Sequence, residues 1–268
     1  MGGMAALTYS SYLKIDELLS LQQPKSAEAP GGAEHDEMLF IVIHQVYELW
    51  FKQMLHEADH LRGLLERNAH PEACGTLKRM LTILKTMVAQ VDVLETMTPV
   101  GFSSFRGRLD SASGFQSAQF REFEFVLGKK ARSPLANYPE GSAMRARLER
   151  RLAEPTLWDG FLRMLVARGY GVPVALLTRD VAQPPAASPE LQAVLIEIYR
   201  NDPPTRQVCE LLVDLDEGVQ EWRYRHVKMV QRTIGAKMGT GGSAGVEYLA
   251  KTLMIPLFPD LWDIRASL

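Results

Sequence analysis

The stretch "HDEMLFIVIHQVYELWFKQMLHEADHLRGLLER", residues 35–67, decides the fold. Its apolar residues recur every three or four positions, which is the period of one face of an α-helix. We therefore predict one long helix over these residues, with an apolar side that needs partners.

The same periodicity extends outward along the chain. Residues 71–97 form a second long helix candidate with Pro71 in the first turn, where proline is favoured. Residues 205–235 form a third, which ends on a glycine. Alternating β-branched stretches bounded by turns are nearly absent. Shorter helices are predicted for residues 10–22, 115–127, 157–168 and 189–200.

The segments between these helices are interpreted as connections within one domain. Residues 132–142 and 181–189 are rich in Pro, Ala and Ser, but the helices on both sides keep apolar faces. Internal repeats and low-complexity tracts are absent from the sequence. The sequence predicts an all-α fold in which residues 1–268 form a single helical-bundle domain.

The composition is that of an ordinary globular protein, with 46% hydrophobic and 23% charged residues. A net charge of −2 gives no general attraction to nucleic acid or to an anionic membrane. Cys74 and Cys209 form no CxxC or CxxCH pattern, which argues against a disulfide scaffold, a structural zinc cluster and c-type haem. With no apolar run near about 18 residues and no signal-like N-terminus, the chain is predicted to be cytoplasmic.

Residues 56–60 read His-Glu-Ala-Asp-His, the spacing by which a helix presents two zinc ligands and a general base in metalloproteases. A catalytic zinc needs a third protein ligand. Position 66 is glutamate and position 70 is histidine, and neither has the spacing of the extended metalloprotease pattern. A helix flank is therefore favoured over a zinc hydrolase site.

Two other histidines lie on apolar helix faces. Three aromatic residues fall within about 60° of His44 on an ideal helix, whereas the two histidines of residues 56–60 fall more than about 100° away. His226 shares its face with apolar residues, and this arrangement suits a core histidine or a haem iron ligand between apolar walls. Periodicity alone favours the core histidine. The residues on these faces are Phe40, Tyr47 and Phe51 for His44, and Val219, Trp222, Met229, Val230 and Thr233 for His226.

Residues 235–245, "GAKMGTGGSAG", hold five glycines and match no P-loop, because Lys237 is followed by Met238. Glycines allow close backbone approach, so the stretch suits an active-site flap whose amides and Thr240 hydroxyl meet a small anion. The alternative is an ordinary interhelix loop.

Residues 101–120, "GFSSFRGRLDSASGFQSAQF", place Arg106 and Arg108 among phenylalanines. An arginine in aromatic surroundings suits bidentate recognition of a carboxylate at a partly desolvated site. A surface arginine stacked on a ring is an equally good interpretation of this stretch.

Four segments, in order and at compatible spacing, resemble the signature segments of the tryptophan 2,3-dioxygenase family. They are "LTYSSYLKIDELLSLQ", "HDEMLFIVIHQVYELWFK", "LETMTPVGFSSFRGRLDSASGFQS" and "WRYRHVKMVQRTIGAKMGTGGSAG". The resemblance spans nearly the whole chain and is weakest between about residues 129 and 205. It implies an all-helical enzyme with haem b, ferrous when active, that inserts O2 into the C2–C3 bond of the L-tryptophan indole. It also implies a homotetramer, a dimer of dimers, with no nucleic acid or membrane partner.

The resemblance implies a role for individual residues by motif position. His226 matches the axial haem iron ligand, His44 the distal histidine that bonds the indole N–H, and Arg106 the carboxylate-binding arginine. Thr240 matches the flap residue at the amino-acid end of the substrate. Other matched positions are Phe40, Ile41, Val42, Ile43 and Phe102 in the pocket wall, Ser113 and Gly114 beside the substrate, and Tyr9, Tyr12 and Leu13 in an N-terminal segment, residues 1–22, that lines the neighbouring subunit's pocket.

One position varies within the family. Phe102 stands where some bacterial members have a tyrosine that reaches the substrate carboxylate. Because phenylalanine has no hydroxyl, we expect Arg106 and Thr240 to carry more of that recognition here.

Two other functions are compatible with these motifs. The first is a haem monooxygenase of the same superfamily that hydroxylates tryptophan or a methyltryptophan to an oxindole. The second is a haem or tryptophan sensor without catalysis, which the complete set of pocket residues disfavours.

Overall fold

Helices make up all the regular secondary structure of the described residues. The computed structural model describes residues 6–28, 30, 32–110, 112, 114–235 and 253–268. Short 3-10 turns lie at Lys25–Glu28, Gly114–Gln116, Ser133–Asn137 and Ile264–Ser267. The predicted all-α class is confirmed. In chain order the α-helices are α1 (Tyr9–Leu13), α2 (Ile15–Leu19), α3 (His35–Glu66), α4 (His70–Leu94), α5 (Pro99–Arg106), α6 (Ala118–Val126), α7 (Ala143–Ala153), α8 (Leu157–Ala167), α9 (Val174–Leu177), α10 (Pro189–Asn201), α11 (Pro203–Ile234) and α12 (Pro259–Asp263).

The three long helices, α3, α4 and α11, begin and end close to the residues that the periodicity predicts. Pro71 lies in the first turn of α4, and Gly235, with φ of 62°, ends α11. α11 begins two residues earlier than predicted because the Asp202 carboxylate accepts the backbone N–H of Thr205 and caps the helix.

The prediction of one helix over residues 10–22 is wrong. Lys14 has φ of 56°, in the left-handed region, so it ends α1 and begins α2. The helix predicted over residues 115–127 begins only at Ala118, because the Ser117 hydroxyl accepts the backbone N–H of Phe120 and caps it there.

The main core lies where α4, α6 and α8 pack on α3, and where α11 packs on α4. Two glycines allow the helices to approach closely. A Cβ on Gly160 would lie 3.0 Å from Arg62 Cγ, and one on Gly218 would lie 2.8 Å from Leu84 Cδ2. The largest fully buried side chains in this core include Trp158, Phe161, Phe258, Met54, Leu61, Leu65, Leu77 and Met80.

A smaller apolar cluster joins the N-terminal part of α3, the C-terminal part of α4, α5 and the C-terminal part of α11. This cluster matters for function because it holds three elements that carry predicted site residues, α3, α5 and α11, close together against α4. Its buried members are Ile43, Val91, Leu94, Met97, Phe102, Phe105 and Met229.

Contacts along α4 fix the relative directions of the long helices. The Tyr47 hydroxyl donates to the Met87 carbonyl at 2.8 Å, while Arg79 pairs with Glu57 at 3.0 Å. These contacts make α3 antiparallel to α4. α11 runs parallel to α4. Gly218 of α11 lies against Leu84 of α4, and further along both helices Arg225 of α11 pairs with Asp92 of α4. α3 and α11 are therefore antiparallel to each other.

The C-terminal residues are attached to the middle of α11 through Asp216. This fully buried carboxylate accepts the backbone N–H groups of Leu257 (2.7 Å) and Phe258 (3.1 Å) and the indole N–H of Trp262 (2.9 Å). A buried carboxylate with several donors is a strong local anchor. It fixes the start of α12 against the helix that carries His226.

The N-terminal helices are attached to α3 only at their base, among the contacts found in the described residues. Glu37 accepts the backbone N–H groups of Lys25 (2.8 Å) and Ser26 (2.9 Å), and the Gln22 amide donates to Gln45. Beyond this base, α1 and α2 have no buried residues.

Cys74 and Cys209 are buried and unpaired, so the absence of a disulfide scaffold agrees with the sequence prediction. Among the helices described, none combines the length and the apolar character needed to cross a bilayer.

Candidate active site

His44 lies on α3 and has a fixed tautomer. Its Nδ1 lies 2.7 Å from the backbone carbonyl oxygen of Phe40. A carbonyl only accepts hydrogen bonds, so Nδ1 carries the proton and donates. In a neutral imidazole the other nitrogen, Nε2, then has the lone pair. Burial lowers the pKa of His44, although the Phe40 carbonyl and the Glu48 charge act in the opposite direction.

His226 lies on α11 and is half-buried. Burial, with a further contribution from the charge of His44, lowers the pKa of His226 to about 4. The side chain is therefore neutral at pH 7 and has a lone pair available to a metal. Its ring stacks on Trp222, with centroids 5.4 Å apart and planes 13° apart.

The two imidazoles lie on the same side of an aromatic bridge between α3 and α11. Trp222 meets Tyr47 at 6.2 Å and Phe51 at 5.8 Å between ring centroids. His44 precedes Tyr47 by about one turn and His226 follows Trp222 by about one turn. Because α3 and α11 are antiparallel, one turn back along α3 and one turn forward along α11 lead to the same end of the helix pair. His44 and His226 therefore lie at that end.

α5 brings two predicted site residues, Phe102 and Arg106, to this place together with Phe105. Phe40 lies 5.8 Å from Phe102 and 5.6 Å from Phe105, and the Phe40 and His44 rings are 4.1 Å apart, all between centroids. Arg106 is half-buried at the last position of α5, directly after Phe105. An aromatic wall next to a cationic group can receive a molecule with an aromatic part and an anionic part.

The close fit of α5 against α3 depends on Gly101. A Cβ on Gly101 would overlap a carboxylate oxygen of Asp36, near the start of α3. The two residues are far apart in sequence, and no sequence motif indicated this contact. Gly101 therefore helps to set the position of Phe102 and Arg106 relative to His44.

A second feature without a sequence signal supports α11 beside the site. Glu124 of α6 is buried and pairs with Arg223 and Arg121, and with Lys129 at 3.0 Å. Burial raises the pKa of Glu124, but the three cations outweigh that effect and hold the pKa below its usual range. This ionised carboxylate fixes α6 to α11 one residue from Trp222.

The remaining predicted pocket residues of α3 differ in exposure. Ile43 is buried in the smaller apolar cluster, Ile41 is half-buried, and Val42 is exposed. Gly114 begins the 3-10 turn Gly114–Gln116 that leads to α6.

Some predicted residues are not brought to this site within the chain, or lie outside the described residues. Ser113 and Thr240, with residues 236–245 of the predicted flap, lie outside the described residues. Tyr9 and Tyr12 on α1 are 76% and 71% exposed, and Leu13 is also exposed. A role for α1 in a pocket therefore remains a prediction that involves a second subunit.

The H-E-x-x-H pattern does not form a metal site in the part of the chain that is described. His56 and His60 are exposed, and Glu57 is buried in an ion pair with Arg79. A general base would need a carboxylate that is not neutralised in this way. Within the described ranges no group of three His, Cys, Asp or Glu side chains is placed to hold a metal ion.

The donor set around His226 suits a haem better than a zinc ion. Zinc takes at least three protein ligands, whereas haem iron takes one axial imidazole and needs apolar walls for its ring. His226 provides one neutral imidazole, and the cluster that contains Phe102, Phe105 and Met229 provides apolar surface.

Two neutral histidines on antiparallel helices, set among aromatic side chains, are typical of all-helical haem proteins. The comparisons with known proteins narrow this class. The family model for tryptophan 2,3-dioxygenase matches residues 1–150 and 187–268.

Similar proteins cover almost the whole chain. A tryptophan 2,3-dioxygenase of Herpetosiphon aurantiacus is 60% identical over 263 residues, covering 98% of this chain and 99% of the relative. One of Anaeromyxobacter sp. strain K is 56% identical over 269 residues, covering 98% and 97%. One of Caulobacter vibrioides is 43% identical over 267 residues, covering 98% of each. This chain belongs to the tryptophan 2,3-dioxygenase family, whose members are haem-dependent.

Proposed function

We propose that this chain is a haem-dependent dioxygenase that inserts O2 into the C2–C3 bond of the L-tryptophan indole. The product is N-formylkynurenine, and the reaction is the first step of tryptophan catabolism by the kynurenine pathway. The observation that supports the proposal best is the pair of neutral imidazoles, His44 and His226, in one aromatic site beside Arg106.

In the proposed enzyme His226 would bind the iron of haem b through an imidazole nitrogen. Its lowered pKa keeps the iron-binding lone pair free of a proton throughout the neutral pH range. When bound, haem b supplies a ferrous iron that activates O2 for reaction with the indole.

His44 orients the substrate. Because Nδ1 donates to the Phe40 carbonyl, Nε2 is left to accept the N–H of an indole. Burial keeps the ring neutral, so this acceptor is present at physiological pH. His44 is thus a hydrogen-bond acceptor that holds the indole in one orientation, and the reaction does not require it to act as a base.

The aromatic side chains exclude water and provide a flat surface. Phe40, Phe102 and Phe105 contact one another edge-on or tilted, which leaves ring faces available to an indole. In a site without water, the hydrogen bond to His44 is stronger than in solution. Binding in one orientation lowers the entropic part of the barrier.

Arg106 is proposed to bind the substrate carboxylate. A guanidinium forms two parallel hydrogen bonds with a carboxylate, and partial burial strengthens them. The absence of a hydroxyl on Phe102 leaves Arg106, with Thr240 of the proposed flap, as the main recognition groups at that end. A site that bonds both ends of tryptophan discriminates against analogues that lack one of them.

The proposed oligomer is a homotetramer in which residues 1–22 of one subunit line the pocket of another, with residues 1–268 forming one domain. The large exposed side chains at α1, Leu7, Tyr9, Tyr12 and Leu13, support an intersubunit contact, because a group of neighbouring exposed apolar side chains is typical of an interaction surface. The base of α1 and α2 is fixed on α3 by Glu37, so the segment leaves the subunit from a defined point. The cytoplasmic location remains a prediction from the sequence.

The decisive experiment identifies the product of the reaction by mass spectrometry. The protein is loaded with haem, reduced without oxygen, mixed with L-tryptophan and then exposed to O2. Mass spectrometry should find a product that has gained two oxygen atoms, with no reductant consumed during turnover. A product with one added oxygen atom that depends on reductant would instead support the monooxygenase. Binding of haem and tryptophan without O2 uptake would support the sensor.

A further inference from the structure

We propose that Trp222 is a positioning residue that fixes the rotation of the His226 imidazole about its side chain. The two rings stack with centroids 5.4 Å apart and planes only 13° from parallel. They lie four residues apart on α11, so they are neighbours on one helix face. The inference rests on the proposed function in one respect, namely that His226 binds the haem iron.

Trp222 is itself held by three other aromatic rings. Phe120 of α6 lies 5.0 Å away, Phe51 of α3 lies 5.8 Å away at 87°, and Tyr47 of α3 lies 6.2 Å away at 67°, all between centroids. Tyr47 is in turn fixed by its hydrogen bond to the Met87 carbonyl. Trp222 is buried, and its indole cannot turn without moving rings on two other helices.

The stacking matters because the lone pair of an imidazole nitrogen lies in the plane of its ring. A ring that can rotate directs this lone pair over a range of angles, and a ring held against a fixed indole directs it in one plane. Haem proteins usually achieve this with a hydrogen bond to the other imidazole nitrogen. Among the described residues we find no side chain or backbone group that hydrogen-bonds to His226. The flat contact with Trp222 therefore takes over the orienting role.

Two substitutions separate a flat contact from general packing. Trp222→Leu removes the flat face and leaves a cavity, whereas Trp222→Phe keeps an aromatic ring. Trp158→Leu is the matched control, because Trp158 of α8 is also buried among aromatic rings in the main core and the substitution leaves a cavity of the same kind. Far-UV circular dichroism establishes that each protein is folded, and Soret absorbance per protein establishes that it is loaded with haem.

The first readout is the iron–histidine stretching band in the resonance Raman spectrum of the ferrous protein, and the second is the rate of haem transfer to apomyoglobin. We expect a shifted or broadened band and roughly fivefold faster transfer for Trp222→Leu, which corresponds to the usual strength of an aromatic pair. For Trp222→Phe and Trp158→Leu, the position and width of the band and the rate of haem transfer should be close to those of the parent protein. Equal effects of Trp222→Leu and Trp158→Leu, or of Trp222→Leu and Trp222→Phe, would overturn the proposal.

A complementation assay tests the same contact without the covalent link to the helix. When His226→Gly is supplied with haem, added imidazole should restore both the iron ligand and haem binding, and the accompanying absorption change gives an apparent Kd for imidazole. We expect roughly fivefold weaker imidazole binding when Trp222→Leu is added. An unchanged Kd would count against the stacking role. If the parent protein shows no iron–histidine band at all, the proposed function fails, and that result is distinct from a failure of the Trp222 proposal.

Discussion

At the scale of single residues, haem binding depends on His226. Replacing it in His226→Ala removes the one imidazole with a free lone pair on α11, so we expect near-complete loss of bound haem. Soret absorbance per protein measures this directly. His60→Ala, an exposed change on α3, should keep its haem. A His226→Ala protein with full haem content would assign the iron to a different ligand.

Arg106 is expected to recognise the carboxylate end of tryptophan. In Arg106→Ala the lost charge-assisted hydrogen bonds should weaken L-tryptophan binding by roughly tenfold to a hundredfold. Titration by absorbance gives the Kd. Arg108→Ala is the control, because Arg108 is exposed two positions further along. Tryptamine, which has no carboxylate, should bind both variants equally, and an equal loss for tryptamine would contradict the assigned role.

Sequence and structure agree best for residues whose chemistry is visible in their own motif. His44 and His226 could be found because each is a lone histidine on an apolar helix face within a family motif. The neutral state of the two rings and the tautomer of His44 could not be predicted from the sequence. They depend on burial and on the contact of His44 with the Phe40 carbonyl. The ion pair between Glu124 and Arg223 could not be predicted either, because the two residues are 99 positions apart in the sequence.

At the scale of elements, the position of α5 depends on a glycine. In Gly101→Ala the new Cβ overlaps the Asp36 carboxylate, and we expect α5 to move away from it and displace Phe102 and Arg106, unless the Asp36 side chain turns aside. A displacement of about 1 Å can lower kcat/KM by roughly a hundredfold. Adding Asp36→Ala should restore much of the activity by removing the overlap. Gly75→Ala, at an open position of α4, is the control, and a similar loss there would refute this role for Gly101.

The N-terminus of α11 makes the protein sensitive to acid. Burial raises the pKa of Asp202, but hydrogen bonds from Thr205 and Tyr170 and the charge of Arg168 lower it from 3.8 to about 2. The ionised carboxylate therefore stabilises the fold above about pH 4, and this contribution is lost as the pH falls through about 2. Its size is about 2 kcal/mol.

Urea unfolding at pH 7 and at pH 3 measures this effect. The free energy of unfolding of Asp202→Asn should fall less between these two values than that of the parent protein. Asp180→Asn, at an exposed loop position, serves as the control. If the free energy of unfolding depends on pH in the same way in the parent and in Asp202→Asn, Asp202 does not cause the acid sensitivity.

The long helices could be predicted because their apolar period persists over many turns, as in α3 and α11. The bounds of short helices could not be predicted in this way, because a single residue can end or begin such a helix. Lys14 splits the predicted helix of residues 10–22 by its left-handed backbone, and nothing in a lysine indicates that conformation. α5 has only eight residues, and its place is set by contact with α3.

At the scale of the whole molecule, the exposed N-terminal helices predict shared active sites. A protein lacking residues 1–22 and a full-length His226→Ala protein should each be inactive alone. After refolding as a mixture, the pocket of the first can receive the N-terminal segment of the second, and activity should reappear. Measured N-formylkynurenine formation is the readout. Absence of recovery in mixed oligomers, with their presence shown by mass spectrometry, would contradict the exchange.

Asp216 has a consequence for the residues between α11 and the C-terminus. Gly235 ends α11, and Asp216 of the same helix holds Leu257 and Phe258, so both ends of the intervening segment are attached to one rigid rod. The same carboxylate therefore joins two points of the chain that lie 41 residues apart in sequence, Asp216 and Leu257. Closing a connection of this length has an entropic cost, which the three hydrogen bonds to Asp216 offset on folding. A substitution at Asp216 would release the residues around Leu257 and Phe258 from α11 and lower the free energy of unfolding.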